Sequence, residues 1–244
     1  FLSLIMRWVS AGGPRQAGVA PDLLVVLCHG FGASGQDLVP LGGEMLQDDP
    51  VLGALVRFVF PAAPILLEGA EPFDARAWWH LDERALDAAL SRGQPLDPRR
   101  EAPAELPAAR ERLTALVADA CREEQVPLHR VVLGGFSQGA MLALDTALRL
   151  PDSVAGLALF SGTLLCEDEW RSLAPARRGL SFLQSHGRQD PLLSFAAAEG
   201  LYQLLTGAGL VGEWLPFDGP HTIPAQAVHR FTHQLRVLAT GERG

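Results

Sequence analysis

RVVLGGFSQGAMLALDTALRL (130–150) runs from a short apolar segment, through a glycine-flanked serine, straight into an amphipathic pattern. The leading RVVLGGF (130–136) is β-branched and leucine-rich, as a strand buried on both faces should be. The trailing AMLALDTALRL repeats its apolar residues at helical spacing and predicts a helix over 138–149. Between them stands Gly135-Phe136-Ser137-Gln138-Gly139, so the serine falls on the turn itself. A turn this sharp strains the serine backbone, and small residues on either side let the chain pass without collision. It lifts the hydroxyl clear of a sheet and aims the first N–H groups of the next helix at whatever the hydroxyl attacks. A G-x-S-x-G also arises by chance in a chain with 25 glycines; the strand before it and the helix after it give it meaning here. Ser137 is therefore the candidate nucleophile.

Outward from this unit the same alternation continues. LLVVL (23–27), VRFVF (56–60), GLALF (156–160), LSFLQSH (180–186) and GEWLPF (212–217) read as further strands, and 38–48, 107–124, 194–206 and 224–238 as further helices. Strands alternating with helices imply an α/β fold with a mostly parallel central sheet and helices on both faces. The 244 residues suit one domain, 1–244. One stretch breaks the rhythm: about 62–107 is rich in Pro, Arg, Asp and Glu and holds the pair Trp78-Trp79. A connection of that length inside a compact domain is more often functional than idle. It reads as a cap-like excursion over the carboxyl edge of the sheet, where open α/β sheets bind ligands. Trp78 and Trp79 are expected to turn inward there and wall a substrate pocket, the alternative being that they anchor the excursion in the core.

Composition excludes several classes. Twenty Lys+Arg against 28 Asp+Glu leave a net charge of -8, which argues against a nucleic-acid partner. The opening FLSLIMRWVS is too short to span a bilayer and has neither the basic region nor the cleavage site of a signal peptide. No other apolar run reaches membrane length, so no stable membrane insertion is expected. Cys28, Cys121 and Cys166 show neither C-x-x-C nor metal-like spacing and read as reduced thiols of a cytoplasmic protein.

A serine hydroxyl needs a base to take its proton and a third group to orient that base. After a serine elbow the chain order is Ser, then Asp or Glu, then His. Asp190 in SHGRQDPLL follows the strand 180–186, where a carboxyl-edge loop would hold it; Asp218 is the alternative acid. Asp145, Asp152 and Asp168 are weaker, flanking the elbow's own helix or lying in an acidic run. Among seven histidines, His221 in DGPHTIP sits in a tight turn after the last strand and is the candidate base. His229 and His233 stand four apart on the last helix with no third ligand nearby, so no metal is expected. His29-Gly30-Phe31-Gly32 ends the strand 23–27, and its glycines allow close approach to a substrate. The backbone N–H groups of Phe31 and Gln138 are the candidate oxyanion hole, with the His29 side chain supporting the loop. There is neither G-x-G-x-x-G nor a P-loop lysine to support nucleotide binding.

LCHGFGASGQD, FPAAP, RAWWHLD, GGFSQGAML, SHGRQDPLL and GPHTIP, in this order over roughly 23–240, resemble the phospholipase/carboxylesterase family of α/β-hydrolases, which includes acyl-protein thioesterases and small bacterial carboxylesterases. The resemblance implies an α/β-hydrolase fold, the triad Ser137, Asp190 and His221, and oxyanion donors at Phe31 and Gln138. It also implies a cofactor-free hydrolase of small esters, lysophospholipids or acyl thioesters, and a weak homodimer. Two departures stand out: the family's G-G-H is Gly219-Pro220-His221, and its W-[FY]-D is Trp78-Trp79-His80 with the acid displaced to Asp82. Alternatives on the same fold are an acyltransferase or perhydrolase and a non-catalytic binding module. A dienelactone-hydrolase-like enzyme would prefer cysteine where Ser137 stands.

Overall fold

The computed structural model describes residues 8–11 and 21–241. Most of FLSLIMRWVS, at 1–7, lies outside them. The elements in chain order are β1 (Trp8–Ala11), β2 (Leu23–Cys28), α1 (Val39–Asp48), α2 (Pro50–Leu55), β3 (Val56–Pro61), β4 (Ile65–Leu66), β5 (Arg76–Ala77), α3 (Glu83–Arg92), α4 (Leu106–Glu124), β6 (Val131–Phe136), α5 (Gln138–Arg149), β7 (Gly156–Phe160), α6 (Glu167–Leu173), β8 (Ser181–Gly187), α7 (Phe195–Gly207), β9 (Val211–Phe217) and α8 (Ala225–Thr240). Every strand and helix expected from the sequence has a counterpart, most shifted by a residue at one or both ends.

Seven strands form the main sheet in the order β1-β3-β2-β6-β7-β8-β9. β1 pairs antiparallel with β3, and every other neighbour is parallel. The side chains of β2 explain why the sheet is covered twice. Leu24, Val26 and Cys28 join a core with α4 and α5 residues, while Leu23, Val25 and Leu27 join a second core with α1, α2 and α8 residues. Successive side chains on a strand point to opposite faces, so a run apolar at every position needs helices on both sides. The fold is that of the α/β-hydrolases.

The order of strands also locates a crevice. From β2 the chain steps outward to β3, then returns past β2 to place β6 on its other side. The β2/β6 boundary is thus the topological switch point, and ligands bind outside the carboxyl ends of the strands at such a point. Register aligns Cys28 with Gly135, Phe136 with Phe160 and Gly187 with Phe217, so the loops after these strands open on one edge.

The segment 62–107 is more structured than an excursion of loop. It contains the small antiparallel ladder of β4 and β5 and the helix α3. Asp82 caps α3, its carboxylate accepting from the N–H groups of Arg84 and Ala85, and Gly93 ends it with φ 62°. Farther on, Leu96 bridges to Leu193 in parallel fashion, tying the segment to the loop after β8. Trp78 and Trp79 are both buried, at 1% and 2% exposure.

Two glycines of the elbow are demanded by backbone proximity. A Cβ on Gly135 would lie 2.3 Å from the Cys28 carbonyl oxygen, and one on Gly139 would lie 2.1 Å from it. At Gly43 in α1, by contrast, a Cβ would meet nothing within 4 Å. Gly139→Ala is therefore expected to lose about 3 kcal/mol or more, or to fail to fold. Gly43→Ala should gain roughly 0.5–1 kcal/mol by lowering the entropy of the unfolded chain. Denaturant melts of both variants check the contrast; equal effects at the two positions would contradict it.

Candidate active site

Ser137 has φ 56° and ψ -121°, a left-handed conformation that a residue with a Cβ seldom adopts. The strain is held from three sides. The Ser137 N–H donates to the Phe160 carbonyl at the end of β7 (2.8 Å), and its carbonyl accepts from Ala140 (3.0 Å) and Met141 (3.2 Å) of α5. The glycine contacts to Cys28 supply the third side. The side chain so presented has its Oγ 2.9 Å from His221 Nε2.

His221 comes from the turn after β9, which presses onto the end of β8. A Cβ on Gly187 would fall 2.3 Å from the Gly219 oxygen and 2.4 Å from the Pro220 oxygen, so only glycine fits beneath this turn. The Gln189 N–H donates to the Gly219 oxygen (3.1 Å), and Ser161 Oγ donates to the Thr222 oxygen (2.9 Å). Ser161 itself has φ 50° and is fully buried. On the other side the Phe136 ring lies 4.8 Å from the imidazole, centroid to centroid.

Asp190 completes the series, its Oδ2 lying 2.6 Å from His221 Nδ1. The carboxylate accepts only, so Nδ1 carries the hydrogen and Nε2 is left as the acceptor facing the Ser137 hydroxyl. Asp190 Oδ1 accepts from the N–H groups of Leu192 (2.8 Å) and Leu193 (3.0 Å), and Oδ2 also lies 3.2 Å from Nε2 of the fully buried His186. Burial pushes the Asp190 pKa up, but hydrogen bonds from His186 and His221, the charge of His221 and the Leu193 N–H together outweigh it. They hold the carboxyl well below the usual carboxylate range.

The loop after β2 is fixed by His29. Its Nδ1–H donates to the Gly30 oxygen (2.8 Å) and its Nε2 accepts from the Ala63 N–H (3.0 Å). Burial pulls its pKa down, in keeping with a neutral ring. Among the described residues no acceptor takes the backbone N–H of Phe31 or Gln138. The Gln138 side chain is busy elsewhere: Oε1 accepts from the Trp78 N–H (2.8 Å) and Nε2 donates to the Trp79 oxygen (2.9 Å).

An apolar cleft of about 160 Å³ opens beside Ser137 and His221. Trp79, Leu81, Leu86, Leu96, Met141 and Leu193 line it, so the segment 62–107 supplies much of its wall. Trp79 lines the cleft while Trp78 does not, and both rings pack into the core. The indole N–H of a buried tryptophan needs an acceptor. Trp78 finds one in the His29 oxygen (2.9 Å), which turns it behind the cleft.

The rival residues stand apart from this cluster. Asp218 is 83% exposed and pairs with Arg188 (3.7 Å). Asp145 is buried, bound by Arg110, Arg149 and the Trp170 indole; Asp152 and Asp168 are exposed. His229 and His233 are exposed on α8, and among the described residues no three potential ligands gather to hold a metal ion. His80 pairs with Glu105 (2.8 Å), and the displaced Asp82 serves as a helix cap. Sequence reasoning missed Ser161 and the carboxamide of Gln138. Neither carries a local signal, because their partners are 61 and about 60 residues away in the chain.

The sequence pattern of the phospholipase/carboxylesterase family matches residues 16–238. The chain belongs to the phospholipase/carboxylesterase family. Curated relatives include acyl-protein thioesterase 1 of Eremothecium gossypii, 31% identical over 188 residues that cover 74% of this chain and 72% of the relative. Acyl-protein thioesterase 1 of Mycosarcoma maydis is 32% identical over 190 residues, 75% of this chain and 74% of the relative. Among crystal structures, esterase PE8 superposes with a TM-score of 0.77 at 27% identity, covering 96% of this chain and 99% of that one. A carboxylesterase from Mesorhizobium loti shares the fold with a TM-score of 0.72 at 19% identity, covering 97% of each chain.

The lowered pKa of Asp190 sets a pH dependence of stability. Its folded-state value lies below that of the unfolded chain, so the ionised carboxylate stabilises the fold. That contribution is fully present above the unfolded aspartate value of about 3.9 and is lost as pH falls through it toward the folded value. The gap in thermal midpoint between the wild type and Asp190→Asn, followed downward from about pH 5, should shrink below about pH 4. A gap that stays constant down to about pH 3 would contradict this account of the carboxylate.

Proposed function

We propose that this protein hydrolyses carboxylic esters or thioesters by two-step acyl transfer, with Ser137 as nucleophile, His221 as base and Asp190 as the residue that orients it. The observation that carries this reading is the continuous series of hydrogen bonds from Ser137 Oγ to His221 (2.9 Å) and from His221 to Asp190 (2.6 Å), beside an apolar cleft. Membership of a family whose relatives are named thioesterases and carboxylesterases supports it.

The chemistry follows from the atoms. His221 Nε2 takes the Ser137 proton as Oγ attacks the substrate carbonyl carbon. The imidazolium that forms is stabilised by the Asp190 carboxylate, itself held in place by two N–H groups and His186. Negative charge on the carbonyl oxygen is received by the N–H groups of Phe31 and Gln138. Collapse expels the alcohol or thiol, which takes the proton back from Nε2. Water then enters by the same route and frees the acid.

The cleft walls speak to the substrate. Leucines, a methionine and Trp79 offer an acyl or alcohol group little but apolar contact, so the group held there should itself be apolar. A cleft of about 160 Å³ suits a short or medium chain better than a long one. No described helix is long and apolar enough to cross a membrane.

Two experiments test the reading. Ser137→Ala should lower kcat on p-nitrophenyl butyrate by a factor on the order of 10⁶, since it removes the nucleophile of an interdependent unit. A folded variant that keeps more than a few per cent of activity would overturn the assignment. Trp79→Ala should shift the preference between butyrate and octanoate esters several-fold, each gripped methylene counting for about 1 kcal/mol. A chain-length profile parallel to that of wild type would remove Trp79 from the cleft's selectivity.

A further inference from the structure

The two N–H groups assigned to the oxyanion lie on separate parts of the chain, Phe31 on the loop after β2 and Gln138 at the start of α5. Their spacing depends on what ties that loop to that helix. The strap 76–79 does so. The Gly32 N–H donates to the Arg76 oxygen (2.8 Å), and the Arg76 N–H donates to the Ala33 oxygen (3.0 Å), so the strap runs alongside the loop. Two residues on, the Trp78 indole N–H donates to the His29 oxygen (2.9 Å) while the Trp78 backbone N–H donates to Gln138 Oε1 (2.8 Å). The Gln138 carboxamide then closes onto the Trp79 oxygen (2.9 Å). One residue thus holds the loop by its side chain and the helix by its backbone.

We propose that Trp78 and the side chain of Gln138 are positioning residues that set the width of the oxyanion hole. The inference rests on the acyl-transfer reading above. Burial makes the ties firm: Trp78, Gln138 and His29 are each no more than 2% exposed, so water cannot replace a lost bond. Width matters because the donors act only near 2.7–3.1 Å from the developing oxyanion, and preorganised donors are among the largest contributions to such catalysis. Trp78 does not line the cleft, so it touches neither end of the substrate and acts through the chain on either side of it.

The test uses Trp78→Phe, which deletes the indole N–H and keeps most of the ring, and Gln138→Met, which deletes both polar ends and keeps the backbone donor. Each should lower kcat for p-nitrophenyl butyrate about tenfold, a fraction of the roughly 10²–10³-fold cost of losing a donor outright. KM should stay within twofold and the chain-length profile should stay parallel to that of wild type. An aryl trifluoromethyl ketone, whose adduct with the serine carries an oxyanion, should bind weaker by the same factor as kcat falls. Folded variants with kcat and ketone affinity within twofold of wild type would overturn the proposal, whatever their melting temperatures. So would a changed chain-length profile at Trp78, which would make it a substrate wall, or failure of both variants to fold, which would make both side chains purely structural. Ser137→Ala binding the ketone as tightly as wild type would instead defeat the acyl-transfer reading itself.

Discussion

The close passage of β2's carboxyl end against the serine elbow is the constraint on which the site depends. The Cys28 carbonyl occupies the space where side chains on Gly135 and Gly139 would otherwise sit. That contact forces glycine at both positions, and the glycines in turn permit the left-handed backbone of Ser137. It also sets the His29–Gly32 loop beside the N-terminus of α5, and Phe31, Ser137 and Gln138 line one cleft there. The residues proposed as nucleophile and oxyanion donors are thus set by a single backbone packing arrangement. Each of the remaining site residues arrives on a loop from the same edge of a parallel sheet.

A second layer of packing makes that edge rigid. Asp190 is held by two N–H groups and a buried histidine before it meets His221, so its orientation does not rest on the pair alone. The His221 turn is pinned by Gly187 beneath it and by Ser161, just past the end of β7. Over the opening, the segment 62–107 adds leucines and Trp79, making a cleft that is polar at Ser137 and His221 and mostly apolar along its walls. Such a division suits a reaction in which charge develops at one carbonyl while binding energy comes from a hydrocarbon chain.

Much of this was legible in the sequence because its signals are local. RVVLGGFSQGAML carries a strand, a turn and a helix within a few residues, and Asp190 and His221 each sit in a turn directly after a strand-like run. The buried strands declared themselves by being apolar at consecutive positions, which only a doubly covered sheet accommodates. What escaped depends on distance along the chain. Trp78 reads from its composition as a pocket wall, and only the His29 oxygen, 49 residues away, explains why it turns behind the cleft. The helix α3 is a different kind of omission. Asp82 and Gly93 bracket it with a sound N-cap and C-cap and Leu86 and Leu90 stand four apart, but the proline- and charge-rich stretch around them reads as loop.

Acyl transfer through a covalent Ser137 intermediate is the central claim, and intact-protein mass spectrometry during the first turnovers of a slow ester tests it most directly. A p-nitrophenyl ester quenched in acid should leave a mass increase of one acyl group, mapped by peptide digestion to the peptide containing Ser137, and absent from Ser137→Ala. Hydrolysis with no such adduct under any quench, or an adduct mapped to another residue, would contradict the account.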